Sequence, residues 1–363
     1  MAYDEIYNEL KSKMGDDPAA NEAMLRKEAE RFVRERNQDG ITAAGNLIME
    51  NMPEEKRNEI IRITHIDGIR LDQYYNNIDK LVDERKISEA KILAEKLYKK
   101  ITVEFKDTEN EHFVSLRNPF EDNLFQLFFK QEKKLTRTPY DFARYITTYA
   151  YILTEAGSPL DAIPVLQRAI EFNPVDCGPK FELAEVYKRL KNKQRLIEIT
   201  AETLKVASSP RAIARCYANM GYMLTDFQEF DDAVAFYTAS VMSAPDPAIP
   251  LEMQHLADLK GSPVQYIGLE KVKEILEKYG LEFGPNQDVI SVAAQLASYY
   301  IGRKDLYNAL KAMKLTYGLT MDENLKEMIL KYEPIVNGSK PEKKDITQTV
   351  NENPELDDNG STD

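Results

Sequence analysis

A small residue recurs at one place in a repeated helical pattern, and that recurrence constrains the fold more than any other feature of the chain. In ARCYANMGYMLTDFQEFDDAVAFYTASVMSAP, Ala214 to Pro245, the residues Tyr217, Met220, Gly221 and Leu224 share one face of a helix running from Ala214 to Thr225. Asp226 to Glu229 make a turn. A second helix starts near Asp231, puts Ala233, Phe236, Tyr237, Ser240 and Val241 on its inner side, and stops at Pro245. Gly221, Ala233 and Ser240 give up buried area in mid-helix, so another element must approach closely there. Such a hairpin cannot bury both of its faces alone and needs neighbours of the same kind.

The neighbours are visible. YAYILTEAGSPLDAIPVLQRAIEFNP places Ala150, Leu153, Ala162, Leu166, Ala169 and Pro174 at matching offsets, and FELAEVYKRLKNKQRLIEIT places Ala184 and Tyr187 in phase. Ala150 to Ala184 is 34 residues, Ala184 to Gly221 is 37, and Gly221 to Ala297 is 76, which leaves room for one weaker unit around Ala257 to Leu276. LASYYIGRKDLYNALKAMKLTYG continues the frame with Ala297, Tyr300, Ala309 and Met313. Near the start, Ile78, Leu81, Ala90, Ala94 and Leu97 repeat it in degenerate form.

This pattern resembles the tetratricopeptide repeat family, whose unit is about 34 residues long. In the best-fitting unit Tyr217 stands for the family's bulky aromatic and Met220–Gly221 for its Leu-Gly pair, followed by Leu224, Ala233, Tyr237, Ser240 and Pro245. The resemblance is good from about Tyr140 to Pro245, fair near 289–320 and weak over 71–100. It implies a mainly α fold, a right-handed superhelix of about five or six antiparallel hairpins whose first helices line a concave groove. The groove positions it implies are Arg144 and Tyr151, then Phe181, Glu185 and Lys188, then Arg215, Asn219 and Tyr222. Some family members grip a C-terminal carboxylate with Lys, Asn and Arg. Here those slots hold Thr147, Tyr151, Glu182, Arg215 and Asn219, and Glu182 would repel a carboxylate, so that mechanism is rejected.

Three segments lie outside the repeats. Residues 1–70 read as a helical cap, in which Asp17-Pro18 starts a long helix to about Asn37, Asp39-Gly40 ends it and Pro53 starts another. Residues 101–139 read as an insert. Alternation at Ile101, Val103 and Phe105, then Phe113 and Ser115, predicts a short β-hairpin. Asn118 and Pro119 then start a helix with Phe120, Leu124, Leu127 and Phe128 on one face, expected to pack on the first strong repeat. The repeats proper run from 140 to 336. From Asn337 to Asp363 there is scarcely an apolar residue, which predicts disorder.

Chemistry is harder to find. His65, His112 and His255 have no metal-ligand spacing, Gly45 and Gly68 stand alone, and pairs such as Glu54-Glu55 and Asp231-Asp232 suit helix starts. Cys177 and Cys216 imply no disulfide framework and favour a reducing cytosol. There is no apolar run of membrane length, and a net charge of −13 opposes nucleic-acid binding. The expectation is a cytoplasmic, non-enzymatic scaffold without cofactor or metal that binds a protein or peptide segment of acidic character. A sensor of short signalling peptides is the alternative reading, and an enzyme with a non-local site is the third.

Overall fold

A computed structural model of the chain describes residues 3–35 and 37–338. The segment expected to be disordered, beyond Asn337, lies outside the described residues apart from its first positions. Among the described residues the chain is mainly helical, with two small sheets. It divides into two compact units, 1–76 and 77–363.

The first unit holds α1 (Tyr3–Ser12), α2 (Pro18–Arg34), α3 (Gln38–Asn51) and α4 (Glu54–Thr64). Asp17 caps α2 by accepting from the Ala19 N–H, with Pro18 at the first helical position as expected. Asp39-Gly40 does not end a helix. Asn37 accepts the Gly40 N–H and opens α3, and Gly40 is there because the Phe32 ring presses on it. A Cβ on Gly40 would lie 2.3 Å from that ring. The core joins Ile6, Leu10, Leu25, Phe32, Ala43, Ala44 and Leu47. After α4 comes a hairpin of β1 (His65–Ile66) and β2 (Ile69–Arg70). Asp67 and Gly68 both have positive φ, as a tight two-residue hairpin turn demands. The division between the units falls inside α5 (Leu71–Asp83).

The second unit continues with α6 (Ile87–Glu104), β3 (Glu111–Val114), α7 (Pro119–Phe128), β4 (Lys134–Arg137), α8 (Phe142–Glu155) and α9 (Pro159–Phe172). Next come α10 (Gly178–Arg189), α11 (Lys193–Val206), α12 (Pro210–Asp226), α13 (Phe230–Ser243), α14 (Ile249–Lys260) and α15 (Leu269–Lys278). It closes with α16 (Gln287–Gly302), α17 (Leu306–Thr320) and α18 (Glu323–Asn337). Helices α8/α9, α10/α11, α12/α13 and α16/α17 pair as antiparallel hairpins. α10 also packs on α8 and α9, and α12 packs on α10 and α11.

The backbone repeats along with the side chains. Arg85, Gly157, Lys191, Gln228 and Lys304 are all left-handed, each between two successive helices. Each turn closes with the same two bonds: Gln228 N–H to Thr225 O and Glu229 N–H to Leu224 O, or Lys191 N–H to Lys188 O and Asn192 N–H to Tyr187 O. Gly261 makes the equivalent turn after α14, but the chain then runs on to Gly268 before α15 begins, which is why that unit reads weakly in sequence.

Gly221 meets Tyr237 across the α12/α13 hairpin: a Cβ there would lie 2.7 Å from the ring. Ala233 and Ser240 are fully buried in α13. Tyr217 does more than fill space. Its hydroxyl donates to Glu282 O at 2.7 Å and accepts the Gly284 N–H at 3.0 Å, tying the chain after α15 to α12.

The hairpin expected over 101–115 is not there. Ile101 to Glu104 form the last turn of α6, where Ala94, Leu97 and Ile101 make one buried stripe and Val103 points outward. β3 pairs instead with β4, in parallel, across α7. α7 begins as expected, with Asn118 accepting the Glu121 N–H, but its buried face is Glu121, Leu124 and Phe125, and Leu127 is exposed. The Arg117–Glu121 ion pair draws that edge of the helix inward.

A candidate binding face on α10 and α12

α10 and α12 are the first helices of adjacent hairpins, so their equivalent faces lie side by side. Phe181, Glu185 and Lys188 follow one another by four and three residues on α10, and Arg215, Asn219 and Tyr222 do so on α12. The structure joins these six in one network. The Arg215 guanidinium lies over the Phe181 ring, 4.5 Å from its centre. The Glu182 and Glu185 Oε1 atoms are each 3.9 Å from Arg215 Nη2, an ion-pair distance that is too long for a hydrogen bond. Lys188 Nζ meets Glu185 Oε1 at 2.8 Å and donates to Asn219 Oδ1 at 2.9 Å. The same ammonium sits 5.1 Å from the centre of the Tyr222 ring.

This arrangement assigns each group a distinct capacity. Lys188 is engaged on three sides and holds the Asn219 amide by its oxygen; Asn219 itself is buried between the helices, only 6% exposed. Arg215, about 41% exposed, rests its plane on Phe181 and makes no hydrogen bond to the two carboxylates at 3.9 Å. The Tyr222 ring, 44% exposed, offers apolar area. The other two predicted residues, Arg144 and Tyr151, stand on α8, which packs on α10; Arg144 meets Asp79 Oδ2 at 3.8 Å. The cations at the predicted positions, Arg144, Lys188 and Arg215, are therefore charge-balanced, because carboxylates one helical turn away or on a facing helix reach them.

Sequence reasoning missed a second polar centre where the insert joins the hairpins. Arg117 meets Glu121 Oε1 at 2.8 Å, Asp176 Oδ1 at 3.4 Å and Asp141 Oδ2 at 3.9 Å. Asn173 donates to Glu121 Oε2 at 2.9 Å, and the buried Lys180 ammonium donates to the carbonyls of Pro174 and Asp176. Burial opposes the charge on Arg117, but Asp176, Glu121 and Asp141 outweigh it and hold it protonated. Burial raises Asp141 to about 6 even beside Arg117, with Asp176 and Glu121 adding to the rise. The one signal in the sequence was the run Arg117, Glu121 and Asp122 at the start of a helix whose other residues include Phe120, Leu124, Phe125, Leu127 and Phe128.

The groups considered for chemistry are otherwise engaged. Burial lifts the Cys177 thiol to about 12 and the Cys216 thiol well above its usual value, so neither is a ready nucleophile. His112 is buried, with Nδ1 at 2.5 Å from Asp107 Oδ2 and its ring stacked on Phe125. Among the described residues no group of three or more His, Cys, Asp or Glu side chains is placed to hold a metal ion. None of the described helices is long and apolar enough to cross a membrane. A separate open depression of about 830 Å³ lies between α14 and the chain that follows it, lined by Pro250, Met253, Gln254, Val264 and Tyr266 among others. Compared with known protein families and with curated proteins, the chain matches none.

Proposed function

We propose that the chain is a non-catalytic, tetratricopeptide-type scaffold whose partner is a protein or peptide segment lying across α10 and α12. The observation that supports this most is the network of Phe181, Glu185, Lys188, Arg215, Asn219 and Tyr222, drawn from two hairpins onto one face. In this reading the partner is extended. It gives a carboxylate to Arg215 and an apolar side chain to Tyr222, the two exposed members of the network. Lys188 is a positioning residue that ties α10 to α12 through Asn219 and holds the Tyr222 ring in place. Both cysteines are free, which suits a reducing compartment, and the reading assigns the scaffold to the cytoplasm.

The test is capture of partners from native lysate on the intact chain, followed by titration of the captured partner. Arg215→Glu should weaken binding by about 2 kcal/mol or more, whereas Lys99→Glu on the exposed side of α6 should change it by less than about 0.5 kcal/mol. With carboxylates within 4 Å of Arg144, Lys188 and Arg215 alike, the salt dependence should be that of about one cation at most rather than three. Equal losses in the two variants would remove the partner from this face.

A further inference from the structure

β3, α7 and β4 make a small strand–helix–strand unit in an otherwise helical region, and its outer strand has an unused edge. The register pairs Glu111 with Lys134, His112 with Leu135, Phe113 with Thr136 and Val114 with Arg137. Lys134 N–H donates to Asn110 O and Thr138 N–H to Val114 O, both at 2.9 Å. Main-chain groups alternate sides along a strand, so Lys134, Thr136 and Thr138 turn theirs toward β3. Leu135 and Arg137 turn theirs away, and among the described residues no strand pairs with them. The flanking side chains lean back toward the unit: Arg137 bonds Asp122 and, at 2.6 Å, Leu116 O, while Lys134 reaches Glu111 Oε1 at 3.4 Å.

The charge of this edge selects its partner. Residues 130–137, KQEKKLTR, carry four cations and one acid in a chain whose net charge is −13. Lysines along an edge strand repel a second copy of the same edge and favour an acidic strand. We propose that β4 accepts a third strand from a partner protein, an extended segment with Asp or Glu beside Lys133 and Lys134. This surface lies on the insert and does not depend on the α10–α12 reading.

The experiment is amide hydrogen exchange on the full chain, with a synthetic peptide of alternating Glu and Val as the probe. The amides of Leu135 and Arg137 should gain at least about tenfold protection at about 1 mM peptide, and a Lys–Val peptide should bind at least about tenfold more weakly. Leu135→Pro deletes the outward N–H and spares the ladder to β3, so it should abolish the protection at Arg137. The double change Lys133→Gln with Lys134→Gln removes both charges without setting an acid against Glu111, and should also weaken binding. Because it gives up the Lys133 bond to Thr108 O at 2.8 Å and the Lys134–Glu111 pair, unchanged exchange of the β3 and β4 ladder amides without peptide is what separates lost docking from lost folding. No protection with the Glu–Val peptide, or binding unchanged in these variants, would overturn the proposal. So would protection already present without peptide that disappears on removing residues 339–363 or on dilution, since the edge would then be taken by this chain's own end or by a second copy.

Discussion

Gly221 is fixed by the ring of Tyr237, and the cost of changing it follows from that distance. A Cβ 2.7 Å from the ring forces either side chain or helix to move, so Gly221→Ala should cost about 1–3 kcal/mol in thermal or denaturant unfolding. Gly45, on α3, has nothing within 4 Å of such a Cβ, and Gly45→Ala should instead be neutral or stabilise by up to about 1 kcal/mol. Asp141 makes a pH-dependent prediction. Its folded value, about 6, lies above the unfolded value of about 3.9. The folded state therefore holds the proton more tightly, and this group's contribution to stability falls as pH rises from about 4 to 6. Asparagine keeps the cap on the Arg144 N–H without the buried charge. Asp141→Asn should flatten the stability profile between pH 4 and 7, and leave the protein at pH 7 at least as stable as the wild type. A steeper profile in equilibrium urea unfolding would mean that Arg117 requires this carboxylate.

At the level of elements, the hairpin turns are the most uniform feature of the molecule, yet only Gly157 among the five uses glycine. Arg85, Lys191, Gln228 and Lys304 hold left-handed backbone with a Cβ, which costs about 1 kcal/mol each. Lys191→Gly and Gln228→Gly should each raise stability by about 0.5–1 kcal/mol in chemical denaturation, whereas Thr203→Gly inside α11 should lower it. The turns were legible in sequence as places, not as conformations, because polar residues at a turn do not declare the sign of φ. The insert failed for a related reason. Ile101, Val103 and Phe105 alternate, but Ala94, Leu97 and Ile101 also follow a helical period, and the preceding helix extends through them. Four residues cannot distinguish the two periods.

For the molecule as a whole, one contact makes the second unit more than a string of neighbours. α7 packs against α16, whose place in the chain is several hairpins later. Damage to α7 should therefore be felt there. Phe125 is buried among His112 and Phe129, and Phe125→Ala should cost about 3–5 kcal/mol while raising amide exchange in both 111–137 and 287–302. The first unit has a core of its own, and exchange in α1–α3 should stay unchanged. A response confined to the insert would mean that the α7–α16 contact carries no coupling.

The candidate face was half legible for the same physical reason that the fold was. Helical period and recurring small residues, which are local properties of a sequence, set out the successive hairpins. The family resemblance then implied Phe181, Glu185, Lys188, Arg215, Asn219 and Tyr222 as positions on their first helices. Helix identity, the capping by Asp17 and Asn118, and the close approach at Gly221 were determined in the same local way. What charges do to one another was not. That Lys188 spends itself on Glu185 and Asn219, that Arg215 rests on Phe181, and that Arg117 gathers three carboxylates from the insert, α8 and the α9–α10 loop depend on distances between elements far apart in the chain. Periodicity assigns a side chain to a face. Only the packing of helices on one another decides which partner, within a few ångströms, that side chain finds, and electrostatic and hydrogen-bond energies are set at that range.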